Sequence, residues 1–184
     1  MNILIIYSSK NGVAKKAAER LSSELSQNNE VKVFDINDSP PSPEGFDVVI
    51  LGGSIRMARL SKKLKSYLKE HIDIISNMPA AFYICCGIIR DFNDYKVTEL
   101  PSKINFSLGV ECFGGELKPD KLRGMDKLIV KAMRGTIESQ DPDFADSSGL
   151  ELPEFMLENI LALAERIRRV YSHHLVKMHK NPAL

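Results

Sequence analysis

The strongest constraint on this chain is an alternation. Short apolar runs at residues 2–7, 31–35, 47–51, 80–85 and 107–113 are separated by stretches with helical apolar spacing. The runs are rich in Val, Ile, Phe and Tyr and are apolar on both faces, the pattern of a strand covered on two sides. Residues 13–26 place Ala14, Ala17, Ala18, Leu21 and Leu25 on one helical face, and residues 61–75 do the same with Leu64, Tyr67, Leu68 and Ile72. Strand and helix in alternation predict an α/β fold with a parallel sheet and right-handed crossovers.

Beyond the fifth run the pattern changes. Residues 118–135 read as a basic helix, with Leu122, Met125, Leu128, Ile129, Ala132 and Met133 as an apolar stripe. That stripe suits an anionic membrane surface, a dimer contact or cover for a sheet edge. Residues 136–149 are acidic and Ser-rich, contain Pro142, and read as a loop. A last helix opens at Leu152-Pro153-Glu154 and runs to about Tyr171, with Pro in its first turn. The expected domain covers 1–172 with an extra helical segment at about 116–149, and 173–184 reads as a flexible tail.

Composition narrows the function. The 184 residues carry 25 Lys and Arg against 24 Asp and Glu, a net charge of +1. That balance speaks against a dedicated nucleic-acid binder and against a carrier steered by a dense acidic face. Cys85, Cys86 and Cys112 are too few for a disulfide framework, and no CxxC spacing offers a zinc or iron–sulfur site. Reduced thiols and a cytoplasmic location are expected. The apolar start, residues 1–6, has no basic leader, and no run approaches the ~20 apolar residues that span a bilayer. Membrane contact is therefore expected to be peripheral, at the inner face and through 118–135. No metal site is expected: His71 falls in a helix, and His173, His174 and His179 lie in the tail.

Three loops at the carboxyl ends of predicted strands carry the chemistry. The first is Ser8-Ser9-Lys10-Asn11-Gly12-Val13-Ala14. It enters a helix, whose unpaired N–H groups and partial positive charge attract phosphate. Ser8 and Ser9 add hydroxyls, Gly12 permits a close turn, and Asn11 tolerates a left-handed backbone. The same residues also suit a plain N-cap. The loop is neither GxGxxG nor GxxxxGK[ST], which disfavours dinucleotide and nucleoside-triphosphate sites. The second loop is Leu51-Gly52-Gly53-Ser54-Ile55-Arg56-Met57 and the third is Cys85-Cys86-Gly87-Ile88-Ile89-Arg90-Asp91-Phe92. The second also reads as a tight turn with Arg56 and Arg59 solvated, and the third as a turn with two buried structural thiols. Ligands of open α/β sheets bind at such strand ends, beside the point where strand order reverses.

With those residues in view, the chain resembles the flavodoxin-like superfamily, itself the type case of that rule, with FMN at the β1/β3 switch point. The resemblance implies a doubly wound five-stranded parallel sheet of order 2-1-3-4-5 with helices on both faces. Within the superfamily it is most similar to the menaquinone-dependent protoporphyrinogen oxidases. The matching stretches are Gly53-Ser54-Ile55-Arg56, Met78-Pro79-Ala80-Ala81-Phe82-Tyr83 and Asp126-Lys127-Leu128-Ile129-Val130-Lys131, and the likeness covers most of 1–172. It departs from the family at Ala14, where the usual hydroxyl is missing, and at 115–125, which has no aromatic residue.

The resemblance implies that Ser8, Ser9, Lys10, Asn11, Gly12, Val13 and Ala14 hold the phosphate of FMN. It also implies that Ser54, Ile55, Arg56, Cys86, Gly87 and Ile88 flank the ring. The chain has no Trp, so Ile55, Met57, Ile88 or Phe92 must cover the ring faces. Arg56 and Arg90 are the expected catalytic cations, either for reduced flavin or for substrate carboxylates. The expected function is protoporphyrinogen oxidation with a quinone acceptor. An FMN electron carrier that meets a redox protein and a flavin-free binding module on the same scaffold are the alternatives.

Overall fold

The computed structural model describes residues 1–87, 89–115 and 155–180 of the chain, with the backbone path alone for 171–180. Five parallel strands form one sheet of order β2-β1-β3-β4-β5. They are β1 (Asn2–Ser8), β2 (Glu30–Asp35), β3 (Val48–Ser54), β4 (Ala80–Cys85) and β5 (Val110–Cys112). The helices are α1 (Val13–Leu25), α2 (Lys62–Glu70), α3 (Ile72–Ser76), α4 (Phe92–Glu99) and α5 (Leu157–Lys180). The parallel direction is what the alternation predicts, and the strand order with helices on both faces is what the resemblance implies.

Strand geometry sends successive side chains to opposite faces, and the core divides accordingly. Ile3, Ile5, Tyr7, Val48, Ile50, Ala81 and Tyr83 pack with α1 and α5 on one face. Leu4, Ile6, Val49, Leu51, Phe82 and Ile84 pack with α2 and α3 on the other. Three strands are thus buried on both faces, which is why their sequences show no polar alternation.

Several boundaries differ from the sequence reading. Gly52 and Gly53 lie inside β3 rather than in the loop beyond it. A Cβ on Gly52 would sit 1.9 Å from the ring of Tyr83, so this glycine makes room for an aromatic of β4. The helix expected over 61–75 breaks at His71 into α2 and α3. Three β-branched isoleucines follow the break, where a continuous helix is least favoured. β5 is short because Gly109, at φ 97, interrupts extended backbone before it.

The sequence reading missed α4 entirely. Its eight residues carry no apolar stripe, and Val97 faces solvent. The last helix starts at Leu157 and continues past Tyr171 to Lys180, so residues 173–180 of the expected tail are helical. Nothing before Pro182 breaks a helix, which accounts for the extension. The expected helix 118–135, the loop 136–149, the segment 116–149 and residues 181–184 lie outside the described residues.

Candidate functional site

The parallel register brings the three loops to one edge of the sheet. Ser8 pairs with Gly53, Ser54 with Cys85, and Ile84 with Cys112. The chain passes from β1 outward to β2 and returns to β3 on the opposite side of β1. The carboxyl ends of β1 and β3 therefore diverge into different loops, which leaves a crevice at the reversal point.

The first loop has the features of an anion cradle. Gly12 is the N-cap of α1, at φ 86 and ψ −10, and no side chain caps the helix. The first turn also holds no acidic residue, so no carboxylate offsets the positive end of the helix dipole. The oxygen of Gly12 accepts the first helical bond, from the N–H of Lys16 at 2.9 Å. Ser9 Oγ is buried and has no hydrogen-bond partner among the described residues. A buried hydroxyl without a partner costs about 1–3 kcal/mol, and an incoming acceptor would remove that cost. Ser8 and Val13 are half-buried, Ala14 is buried, and Lys10 and Asn11 are exposed at the loop tip. This donor set fits a phosphate, with hydroxyl and backbone N–H groups and no competing carboxylate.

Two buried side chains fix the cradle and its neighbouring loop. Tyr83, wholly buried on β4, donates from its hydroxyl to the Ala14 carbonyl at 2.8 Å. Its ring stacks on Phe113 with centroids 4.8 Å apart and planes 13° from parallel. Burial pushes this phenol well above its ordinary range, so it stays a donor. Glu99, at the end of α4, accepts from the Leu60 N–H at 2.8 Å and from Lys65 Nζ at 2.8 Å. It thereby ties α4 to the loop after β3. Neither anchoring role was read from sequence; Tyr83 entered only as the end of the matching stretch Met78–Tyr83. A Tyr opposite a Gly on the neighbouring strand, or a Glu at the end of a stripe-less helix, gives no local signal.

The second loop is tighter than its sequence suggested. Ile55 N–H bonds to the Cys85 carbonyl at 2.8 Å and so continues the sheet pairing for one residue. Arg56 and Arg59 then exchange two backbone hydrogen bonds, at 2.9 and 3.0 Å. Met57 and Ala58 between them have φ 50 and 58, a left-handed pair usually left to Asn and Gly. The turn presents Met57, which is 64% exposed. Arg56 is itself exposed, on the same turn as Arg59.

The third loop leaves β4 through Cys86 and Gly87, passes Ile88, which is outside the described residues, and enters a short 3-10 turn at Ile89–Asp91. Arg90 is exposed and lies 3.6 Å from the Asp91 carboxylate. Of the expected ring-covering residues that are described, Ile55 and Phe92 are partly buried against the core, and Met57 stands well clear of it. Thus Ser8–Ala14, Ser54–Arg56 and Cys86–Gly87 all sit at one sheet edge, and the two arginines stand on separate exposed turns. Among the described residues, no three His, Cys, Asp or Glu side chains gather as a metal group. Among them, too, no helix is long and apolar enough to cross a membrane.

A family model described as a flavodoxin domain matches residues 4–143. A protoporphyrinogen IX dehydrogenase (quinone) of Escherichia coli K12 is 32% identical over 87 residues, covering 45% of this chain and 47% of the relative. A protein of the same name from Leishmania major is 31% identical over 83 residues, covering 44% of this chain and 36% of the relative. The matched stretch thus spans half or less of these curated relatives. Among solved structures, a Fusobacterium nucleatum flavodoxin bound to flavin mononucleotide is 11% identical with a TM-score of 0.47, covering 94% of this chain and 98% of that one.

Proposed function

This chain belongs to the flavodoxin domain family, and on that premise we propose that it is an FMN-dependent oxidoreductase that takes electrons from protoporphyrinogen IX and passes them to a quinone. The observation that carries the cofactor is the cradle: a buried, unpartnered Ser9 hydroxyl beside the uncapped N-terminus of α1. The names of the similar curated proteins support the substrate pair.

In this reading Ser8 and Ser9 donate hydroxyls to the phosphate, and the N–H groups from Asn11 to Ala14 complete the cradle. Ala14 contributes only its backbone, at the N-terminal end of the helix. Bound FMN supplies acceptance and release of electrons at its ring, where negative charge builds on reduction. With FMN bound, Ser54–Arg56 and Cys86–Gly87 would line the ring edges. Met57 would shield the ring from water on one side.

Arg56 and Arg90 place two positive charges on those loops. Either can favour a nearby anion by ~1 kcal/mol at about 4 Å in water, and more once solvent is excluded. The same guanidinium groups suit the carboxylates of a porphyrinogen, which they would orient by paired N–H donation. With no Trp in the chain, no indole covers the ring, and a flat substrate can approach one face.

The test is an FMN titration by visible absorption, followed by protoporphyrinogen and a menaquinone analogue. Saturable flavin peaks with turnover are expected. Flavin binding without turnover would transfer the assignment to an electron carrier, and absence of flavin binding would remove it.

A further inference from the structure

The three cysteines separate by face. Cys85 is the last residue of β4 and points into the α1 and α5 side of the core. Cys86 follows it and turns to the other side, where Cys112 of β5 also lies. Cys112 pairs in register with Ile84, two residues before Cys86 on the same face. The two sulfurs are 3.7 Å apart, and both residues are buried. The backbone holds these strand ends close together. A Cβ on Gly115, three residues past Cys112, would lie 2.9 Å from the Cys86 carbonyl oxygen.

We propose that Cys86 and Cys112 are a redox-active dithiol that closes to an intramolecular disulfide when a small hydroperoxide is supplied. Closure shortens the sulfur separation from 3.7 Å to about 2.0 Å, a movement that side-chain rotation can provide between strands already held together.

The environment assigns the two roles. Cys86 and Cys112 share a thiol hydrogen bond, and together with the Gly114 N–H it holds Cys112 below the ordinary thiol range despite burial. The same hydrogen bond, together with burial, raises Cys86. Burial alone is the main cause that raises Cys85. Cys112 is therefore the thiolate that reacts first. Its sulfur attacks one peroxide oxygen, and the O–O bond breaks. Cys112 becomes a sulfenic acid, and the departing hydroxide takes up a proton as water. The Cys86 sulfur then attacks the Cys112 sulfur, and the S–O bond breaks as the S–S bond forms. The Cys86 proton leaves with the hydroxide as a second water. The sulfur pair loses two electrons, and the peroxide gains them.

The full chain, reduced and then titrated with hydrogen peroxide, tests this by alkylation, intact mass and peptide mapping. The expected product has one free thiol of three, a mass lower by two hydrogens, and a Cys86–Cys112 linked peptide that dithiothreitol reverses. Cys86→Ser should stop at a Cys112 sulfenic acid that dimedone captures, and Cys85→Ser should still form the link. Three intact thiols in the folded wild-type protein, under peroxide that oxidises the unfolded chain, would overturn the proposal. So would a link through Cys85, or a Cys112 sulfinic acid without any link. All of these are read by mass and do not depend on flavin.

Discussion

Gly12→Val probes the cradle where its geometry is most demanding. Gly12 holds φ 86 at the N-cap of α1, a backbone state that costs an L-residue about 1–2 kcal/mol. A Cβ there would meet nothing within 4 Å, so the penalty is purely conformational. The substitution also removes freedom from the unfolded chain, which returns about 0.4–1 kcal/mol. The loss of stability without ligand is therefore at most about 1 kcal/mol, a melting shift of no more than ~2–4 °C for a chain of this size, and smaller to the extent that the loop relaxes. Without ligand, the loop can escape the strain by leaving the left-handed region. Binding FMN would then restore a penalty of about 1–2 kcal/mol, which weakens affinity by ~5–30-fold. Gly12→Asn should recover most of this, because Asn enters the left-handed region more readily. The assay pairs a urea melt with quenching of FMN fluorescence. If Gly12→Val matches wild type in both, the αL cap plays no part in the cradle.

Tyr83→Phe removes a buried hydrogen bond to Ala14 while keeping the Phe113 stack, so it should cost ~1 kcal/mol in a urea melt. Gly52→Ala drives a Cβ to 1.9 Å from the Tyr83 ring and should cost ~3 kcal/mol, near the upper end for overpacking. Equal stabilities for these two variants would contradict the packing described. Arg56→Ala should slow porphyrinogen oxidation several-fold, by ~1 kcal/mol, while FMN affinity changes less; steady-state kinetics beside a binding titration separates the two. Stability should fall as pH rises above about 10. Burial raises Tyr67 and Tyr83 in the folded state, and their unfolded phenols ionise first, from the ordinary value of 10.0. The folded chain then holds more protons than the unfolded one, with a slope of up to ~1.4 kcal/mol per pH unit per tyrosine. A flat melting profile from pH 9 to 11 would show that these phenols are free.

Elements with a periodic signal were legible in the sequence. β1, β3 and β4 are continuous apolar runs because both sheet faces are covered, and α1 shows its buried stripe at Ala14, Ala17, Ala18, Leu21 and Leu25. Those patterns are local, so a one-dimensional reading suffices. α4 was missed because its placement rests on Phe92, Tyr95 and the Glu99 anchor rather than on a stripe. Gly52 was read as part of the second loop, when it lies in β3 and the side chain that requires it is Tyr83 on the next strand. The cradle was readable as far as residue types go. The unpartnered Ser9 hydroxyl and the left-handed pair Met57-Ala58 are consequences of tertiary packing and have no sequence mark.

The two anchors explain how loops with little internal bonding can present a defined surface. A strand end is rigid, but a loop of small residues is not, and its ordering cost is about 1–2 kcal/mol for each residue fixed. Tyr83 fixes the first turn of α1 from the sheet face that the helix covers, through a bond from β4 to Ala14. Glu99 fixes the return of the second loop from the side, through the Leu60 N–H, and Lys65 neutralises its charge. Both anchors are buried, so water cannot easily replace them. The loops therefore reach a ligand with part of their entropy already lost, which is how preorganisation raises affinity without adding contacts. Glu99→Gln keeps the acceptor for Leu60 but removes the charge facing Lys65. It should preserve the melt within about 1 kcal/mol, whereas Glu99→Ala leaves a buried N–H and should cost about 1–3 kcal/mol. An FMN affinity that falls in step with that loss of stability would place the second loop at the ligand. An unchanged affinity would assign Glu99 to the scaffold alone.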